Sequence, residues 1–179
     1  MATVLSYRLH RMTFPKQVYC DANFLVSFYE PNHQRHKKAS ALLIELTRQK
    51  VEIHLSVLAI DEALYQLLIL TYEDKNGTGS WRRNKPLDND PNVCKQFYPE
   101  LDTFVRSLWK LPSLRLIDGP TPAFDIVEDS LRNIASYSLS PRDAFHLAIL
   151  KAIGVRMILT NDSDFERVHD LPIYVLHFW

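Results

Sequence analysis

The stretch Val18-Tyr19-Cys20-Asp21-Ala22-Asn23-Phe24-Leu25 decides how this chain is read. Its first three residues form a short unbroken apolar run, the pattern of a strand covered on both faces. Asp21 then interrupts, and a helical period begins at Ala22, Leu25, Val26 and Tyr29. A strand that ends on an acid and passes straight into a helix opens a strand–helix–strand unit. The ligand side of such a unit lies beyond the carboxyl end of the strand.

The same alternation continues outward. Further short strands are expected at 51–55, 114–117, 156–159 and 173–176, beside the first at 17–20. Helices are expected at 33–50, 57–72, 101–111, 123–136 and 140–153, with a short helical piece at 163–168. Ser140, Pro141 and Gly154 punctuate one of these helices at its start and end. None of the strands alternates cleanly, which suits a parallel sheet with helices on both faces. The expected architecture is a three-layer α/β/α sandwich around a mostly parallel sheet of about five short strands. Residues 1–16 read as an N-terminal extension and 17–179 as a single domain. Residues 73–100, with Gly77, Gly79, Pro86, Pro91 and Pro99, read as a long inserted loop. Its cluster Trp81-Arg82-Arg83-Asn84-Lys85 suits an arm that contacts a nucleic-acid strand; a solvated insertion explains it equally well.

Composition narrows the function classes. The chain has 179 residues, 46% hydrophobic and 23% charged, which fits one globular domain. Lys+Arg and Asp+Glu number 21 each, so the formal charge is zero. That balance excludes a histone-like polycation and an acidic disordered tail, but leaves room for a local basic groove. Two cysteines, Cys20 and Cys94, are too few for a disulfide framework and show no zinc spacing. A reducing, cytoplasmic setting is the expectation. No apolar leader precedes residue 17, and no run approaches the roughly 18–20 apolar residues of a membrane span.

Acids fall where ligands bind. Asp21 ends the first strand, and Asp162 and Asp164 follow the fourth in Leu159-Thr160-Asn161-Asp162-Ser163-Asp164-Phe165. Glu62 lies in the second turn of the helix after strand two, and Asp143 in the first turn of the helix before strand four. Helix starts and strand ends share one sheet rim, so four remote segments aim carboxylates at one place. Each acid also has an innocent role as a helix cap or a surface charge. Together they make an all-oxygen donor set, which suits Mg²⁺ or Mn²⁺ and phosphodiester hydrolysis.

Val18-Tyr19-Cys20-Asp21-Ala22-Asn23-Phe24-Leu25, Ser56-Val57-Leu58-Ala59-Ile60-Asp61-Glu62-Ala63-Leu64-Tyr65, Pro141-Arg142-Asp143-Ala144-Phe145-His146-Leu147-Ala148 and the Leu159–Phe165 stretch resemble the PIN-domain nucleases. In particular they resemble VapC-like toxins of toxin–antitoxin pairs. The resemblance implies a Mg²⁺- or Mn²⁺-dependent ribonuclease, often a homodimer held by an antitoxin. It places the family's acids on Asp21, Glu62, Asp143 and Asp162, with Asp164 as an alternative for the fourth. Asn23 and Thr160 take supporting places. The extension, the insertion and the absence of net positive charge depart from a compact toxin.

Other residues carry weaker signals. Arg142, beside Asp143, suits a phosphate contact, as do Arg82, Arg83 and Lys85 in the insertion. His146 is expected to support its helix rather than ligate, Cys20 to be a buried small hydrophobe, and Trp109 and Trp179 to pack. Residues 33–38 suit part of an RNA path, although such a run is more commonly only a solvated helix face. A non-catalytic RNA- or protein-binding module with the same fold is the rival reading. An aspartate-nucleophile phosphatase ranks below it, because Asp21-Ala22-Asn23 lacks the second acid of D-x-D.

Overall fold

Among the described residues six short strands form one sheet, and every neighbouring pair is parallel. The computed structural model describes residues 2–6, 12–117, 123–169 and 171–178. Trp179 and the basic part of the expected extension, 7–11, lie outside the described residues. The strands are β1 (Thr3–Ser6), β2 (Gln17–Cys20), β3 (Glu52–Leu55), β4 (Leu114–Leu116), β5 (Met157–Leu159) and β6 (Tyr174–His177). Their order across the sheet is β1-β6-β5-β2-β3-β4. Between them run α1 (Ala22–Tyr29), α2 (His36–Arg48), α3 (Val57–Asn76), α4 (Ser80–Asn84), α5 (Pro86–Asn89), α6 (Val93–Gln96), α7 (Tyr98–Leu108), α8 (Ala123–Tyr137) and α9 (Pro141–Ala152). A 3₁₀ turn covers Ser163–Arg167.

The strands divide their side chains between two cores. Val18 and Cys20 of β2, Met157 and Leu159 of β5 and Leu176 of β6 pack with α1, α2, α3 and α7. Tyr19, Ile158 and Val175, one residue out of phase, pack with Ala144, Leu147 and Leu150 of α9. Both faces of the central strands are therefore buried, which is why their sequence shows no polar alternation. β3 differs from that expectation. Ile53 and Leu55 are buried while Glu52 and His54 are only partly covered.

Two further expectations are corrected. The sheet has six strands rather than five, because Thr3–Ser6 of the expected extension pairs with β6 from Thr3↔Tyr174 to Ser6↔His177. Residues 73–100 are not a loop: they hold the end of α3, the three short helices α4–α6 and the start of α7. Leu68, Val93 and Phe97 form a small core of their own there, with Tyr72, Trp81 and Leu101 against it.

Caps set where the helices begin, and parallel strands set which way they face. Asp21 caps α1 by accepting from the Asn23 amide, and Ser56 caps α3 by accepting from the Ala59 amide. Ser140 caps α9 by accepting from the Asp143 amide, with Pro141 at the first helical position. Asp162 caps the 3₁₀ turn. All of these caps sit at the carboxyl-end rim of the sheet.

Candidate active site

Asp21 is the most enclosed of the candidate acids, at 4% exposure. Its Oδ1 accepts from the Asn23 amide at 2.6 Å, and its Oδ2 accepts from the Thr160 hydroxyl. Thr160 in turn accepts from the Asp162 amide at 2.9 Å, so one buried hydroxyl ties the ends of β2 and β5 together. Burial pushes the Asp21 carboxyl up to about 6, opposed by the nearby His146, the Thr160 hydrogen bond and backbone amides. Asn23 and Thr160 thus stand beside Asp21.

Asp143 lies across the rim. The Ser140 hydroxyl donates to its Oδ2 at 2.5 Å. Its carboxyl is raised above the ordinary range, first by burial and also by the charges of Asp162 and Asp164. Those like charges bring the third and fourth acidic segments within electrostatic reach of each other. Asp162 spends one oxygen on the Asp164 amide at 2.8 Å, and Asp164 pairs with Arg167 at 2.8 Å.

Glu62 completes the set from α3. Its Oε2 accepts from His146 Nε2 at 3.3 Å, and its Oε1 lies 3.6 Å from Arg142 Nε without a hydrogen bond. Asp61, next to it, is exposed. Arg142 therefore stands against Glu62 at the site, whereas Arg82, Arg83 and Lys85 lie on α4 and the turn into α5.

Sequence reasoning gave His146 too small a place. It is buried, and its Nδ1 lies 2.6 Å from the Tyr19 hydroxyl, which lies 2.7 Å from Ser56 Oγ. As a carboxylate Glu62 only accepts, so His146 Nε2 carries the proton toward it. Its Nδ1 shares a hydrogen bond with the Tyr19 hydroxyl, and that hydroxyl shares one with Ser56 Oγ. This chain of hydrogen bonds fixes one oxygen of Glu62 from the core. The spacing of His146, one turn after Asp143, was the only signal for it. Tyr19→Phe should cost about 1–3 kcal/mol in urea unfolding, the scale of leaving a buried imidazole nitrogen unpaired. An unchanged midpoint would mean that the chain of hydrogen bonds holds nothing.

The residues suit a hard cation in chemistry more than in their present arrangement. The donors are all carboxylate oxygens, and Asp143 meets two like charges that a cation would offset. Yet among the described residues no three His, Cys, Asp or Glu side chains stand together as a ready metal cage. Each acid already has a partner within the chain: Thr160, Ser140, Arg142 with His146, a backbone amide, or Arg167.

Residues 18–171 match the PIN domain family, from β2 through the 3₁₀ turn. The chain belongs to that family. β1 and β6 fall outside the matched stretch. No curated protein matches the sequence. Among solved structures, this PIN domain is similar to Mycobacterium tuberculosis VapC20, described as a sarcin-ricin loop cleaving toxin. The two share 14% identity at a TM-score of 0.55, over 87% of this chain and 98% of that one. It is also similar to Rickettsia felis VapBC2 bound to a DNA fragment from its promoter, at 14% identity and a TM-score of 0.55, over 90% and 98% of the two chains. A toxin–antitoxin complex from Klebsiella pneumoniae follows, at 16% identity and a TM-score of 0.52, over 88% and 95%. At such identities the likeness is one of fold.

Proposed function

We propose that this PIN domain is a Mg²⁺- or Mn²⁺-dependent endoribonuclease and the toxin of a toxin–antitoxin pair. One observation carries the reading: acids from four remote segments share one rim, and Asp143 stands within the fields of Asp162 and Asp164. A divalent ion held by Asp21, Asp143 and Asp162, with Asp164 in reserve, would polarise water and offset charge on the phosphate. The chain's own groups do the rest. Thr160 and Asn23 hold Asp21 in one orientation. His146 holds Glu62, whose Oε1 is left without a hydrogen bond and suits the acceptance of a proton from the attacking water. Arg142, largely exposed and 3.6 Å from Glu62 Oε1, would bind a substrate phosphate and release Glu62 as it does so. An antitoxin partner, a homodimer and a cytoplasmic site of action follow from the same reading. Among the described residues no helix is long and apolar enough to cross a membrane.

The test is direct. Labelled RNA incubated with the pure chain should be cut in Mn²⁺ and left whole in EDTA. Equal cutting in both, or none in either, would overturn the reading. The rival, a binding module that keeps its acids as caps and ion-pair partners, is favoured by one observation: every candidate acid already has a partner. It predicts intact RNA in both conditions.

A further inference from the structure

The helices within 73–100 build something that the carboxylate rim does not use. A cavity of about 350 Å³ opens between α3 and the α4–α5 pair, lined by Tyr65, Trp81, Arg82, Lys85, Leu87 and Asp88 among others. That volume falls within the range of about 300–1,000 Å³ common to small-ligand sites. Tyr65 is 40% exposed and lies three residues after Glu62, on the same side of α3. The cavity therefore opens one helical turn from the candidate active site.

Its aromatic wall is braced. The Trp81 ring stands edge-on to Tyr65 at 5.9 Å and to Tyr72 at 5.5 Å. Asn84 donates to the Tyr72 hydroxyl at 3.0 Å, which ties α4 back to α3. Lys85 makes the sharp turn into α5 with φ of 44°, a left-handed conformation that is costly for a residue with a Cβ. That turn brings Arg82 and Lys85 to one wall. Among the described residues Arg82, Arg83 and Lys85 enter no ion pair or side-chain hydrogen bond, whereas Arg48, Arg106, Arg132 and Lys151 each do. Asp88 opposes them with a single negative charge.

We propose that this cavity seats one unpaired nucleotide of the RNA strand, the base stacked on Tyr65 and the backbone phosphates held by Arg82 and Lys85. A ring face beside free cations is how single strands are held without sequence choice. The identity of the strand rests on the ribonuclease reading, but the seat is tested by binding alone. The full chain carrying Asp143→Asn, expected to slow cleavage at least about a hundredfold, is titrated against a short fluorescent unpaired RNA and followed by anisotropy. Adding Arg82→Gln with Lys85→Gln should weaken binding about tenfold and make the log–log salt slope shallower by about 1.4, or 0.7 per phosphate contact. Adding Tyr65→Ala should weaken binding about tenfold with the slope unchanged. Circular dichroism of each variant identifies a folding failure, and Tyr65→Phe should restore binding.

Parent-like affinity and slope in the variants would overturn the seat. Equal affinity for an RNA duplex would overturn it too, because a paired base offers no free face. A poly-glutamate peptide that competes as well as RNA would reassign the cavity to a protein partner. If the wild-type chain cuts no RNA in Mn²⁺ yet these losses appear, the nuclease reading falls and the seat stands. If it cuts RNA and the variants bind as the parent does, the seat falls alone.

Discussion

Asp143→Asn is expected to lower Mn²⁺-dependent RNA cleavage at least about a hundredfold, the scale of losing one positioned catalytic group. Asparagine keeps the shape and can still accept from the Ser140 hydroxyl, so the start of α9 should survive. What it loses is the negative charge. The folded-state carboxyl of Asp143 is raised, by burial and then by Asp162 and Asp164. A raised acid contributes stability that is present at low pH and lost as pH rises through its folded value. At neutral pH the ionised group is therefore a burden on the metal-free fold, and a neutral isostere removes it. The variant should melt no lower than the parent in EDTA while failing to cut. Undiminished cleavage would take Asp143 out of the mechanism. Lost cleavage with a lowered melting temperature would trace the defect to folding instead.

The fold was legible where one residue settles a local choice. Asp21 after an apolar run, Ser56, Ser140-Pro141 and Gly154 each marked a boundary, and the structure has its boundaries there. The stretch 73–100 was misread because the same residues punctuate loops and short helices alike. Gly77, with φ of 89°, ends α3, Gly79 precedes α4, and Pro86 opens α5. Helices of four or five residues leave no period to detect. β1 was invisible for a different reason: four residues gain their structure from a register with β6, some 170 residues away. The acids were easy to find and hard to interpret. Asp21, Asp143 and Asp162 all serve in the helix-start hydrogen bonding that a structural reading assigns them, and they also share one rim. His146 needed coordinates, because its partners Glu62 and Tyr19 lie 84 and 127 residues away in sequence.

Mn²⁺ is expected to raise the melting temperature by about 5–10 °C over an EDTA control when present at roughly a hundred times its Kd. A ligand at that excess contributes about 2.7 kcal/mol to the native state. For a chain of this length each kcal/mol moves the midpoint by about 2–4 °C. The pH dependence makes the test specific. Burial holds Asp21 near 6, above its ordinary value of 3.8, so the folded metal-free chain grips that proton more tightly than the unfolded one does. Its contribution is whole below the unfolded value and is lost as pH climbs through about 6. Without metal, stability should therefore fall from about pH 4 to above pH 6. A cation competes with the proton at Asp21 and Asp143, so its effect should be large near pH 7.5 and small near pH 5. Mn²⁺ would then flatten or invert the metal-free profile. A module whose carboxylates only cap helices and pair with Arg142, Arg167 and His146 gives superimposable melts in Mn²⁺ and EDTA at both pH values. That result would remove the metal from this rim.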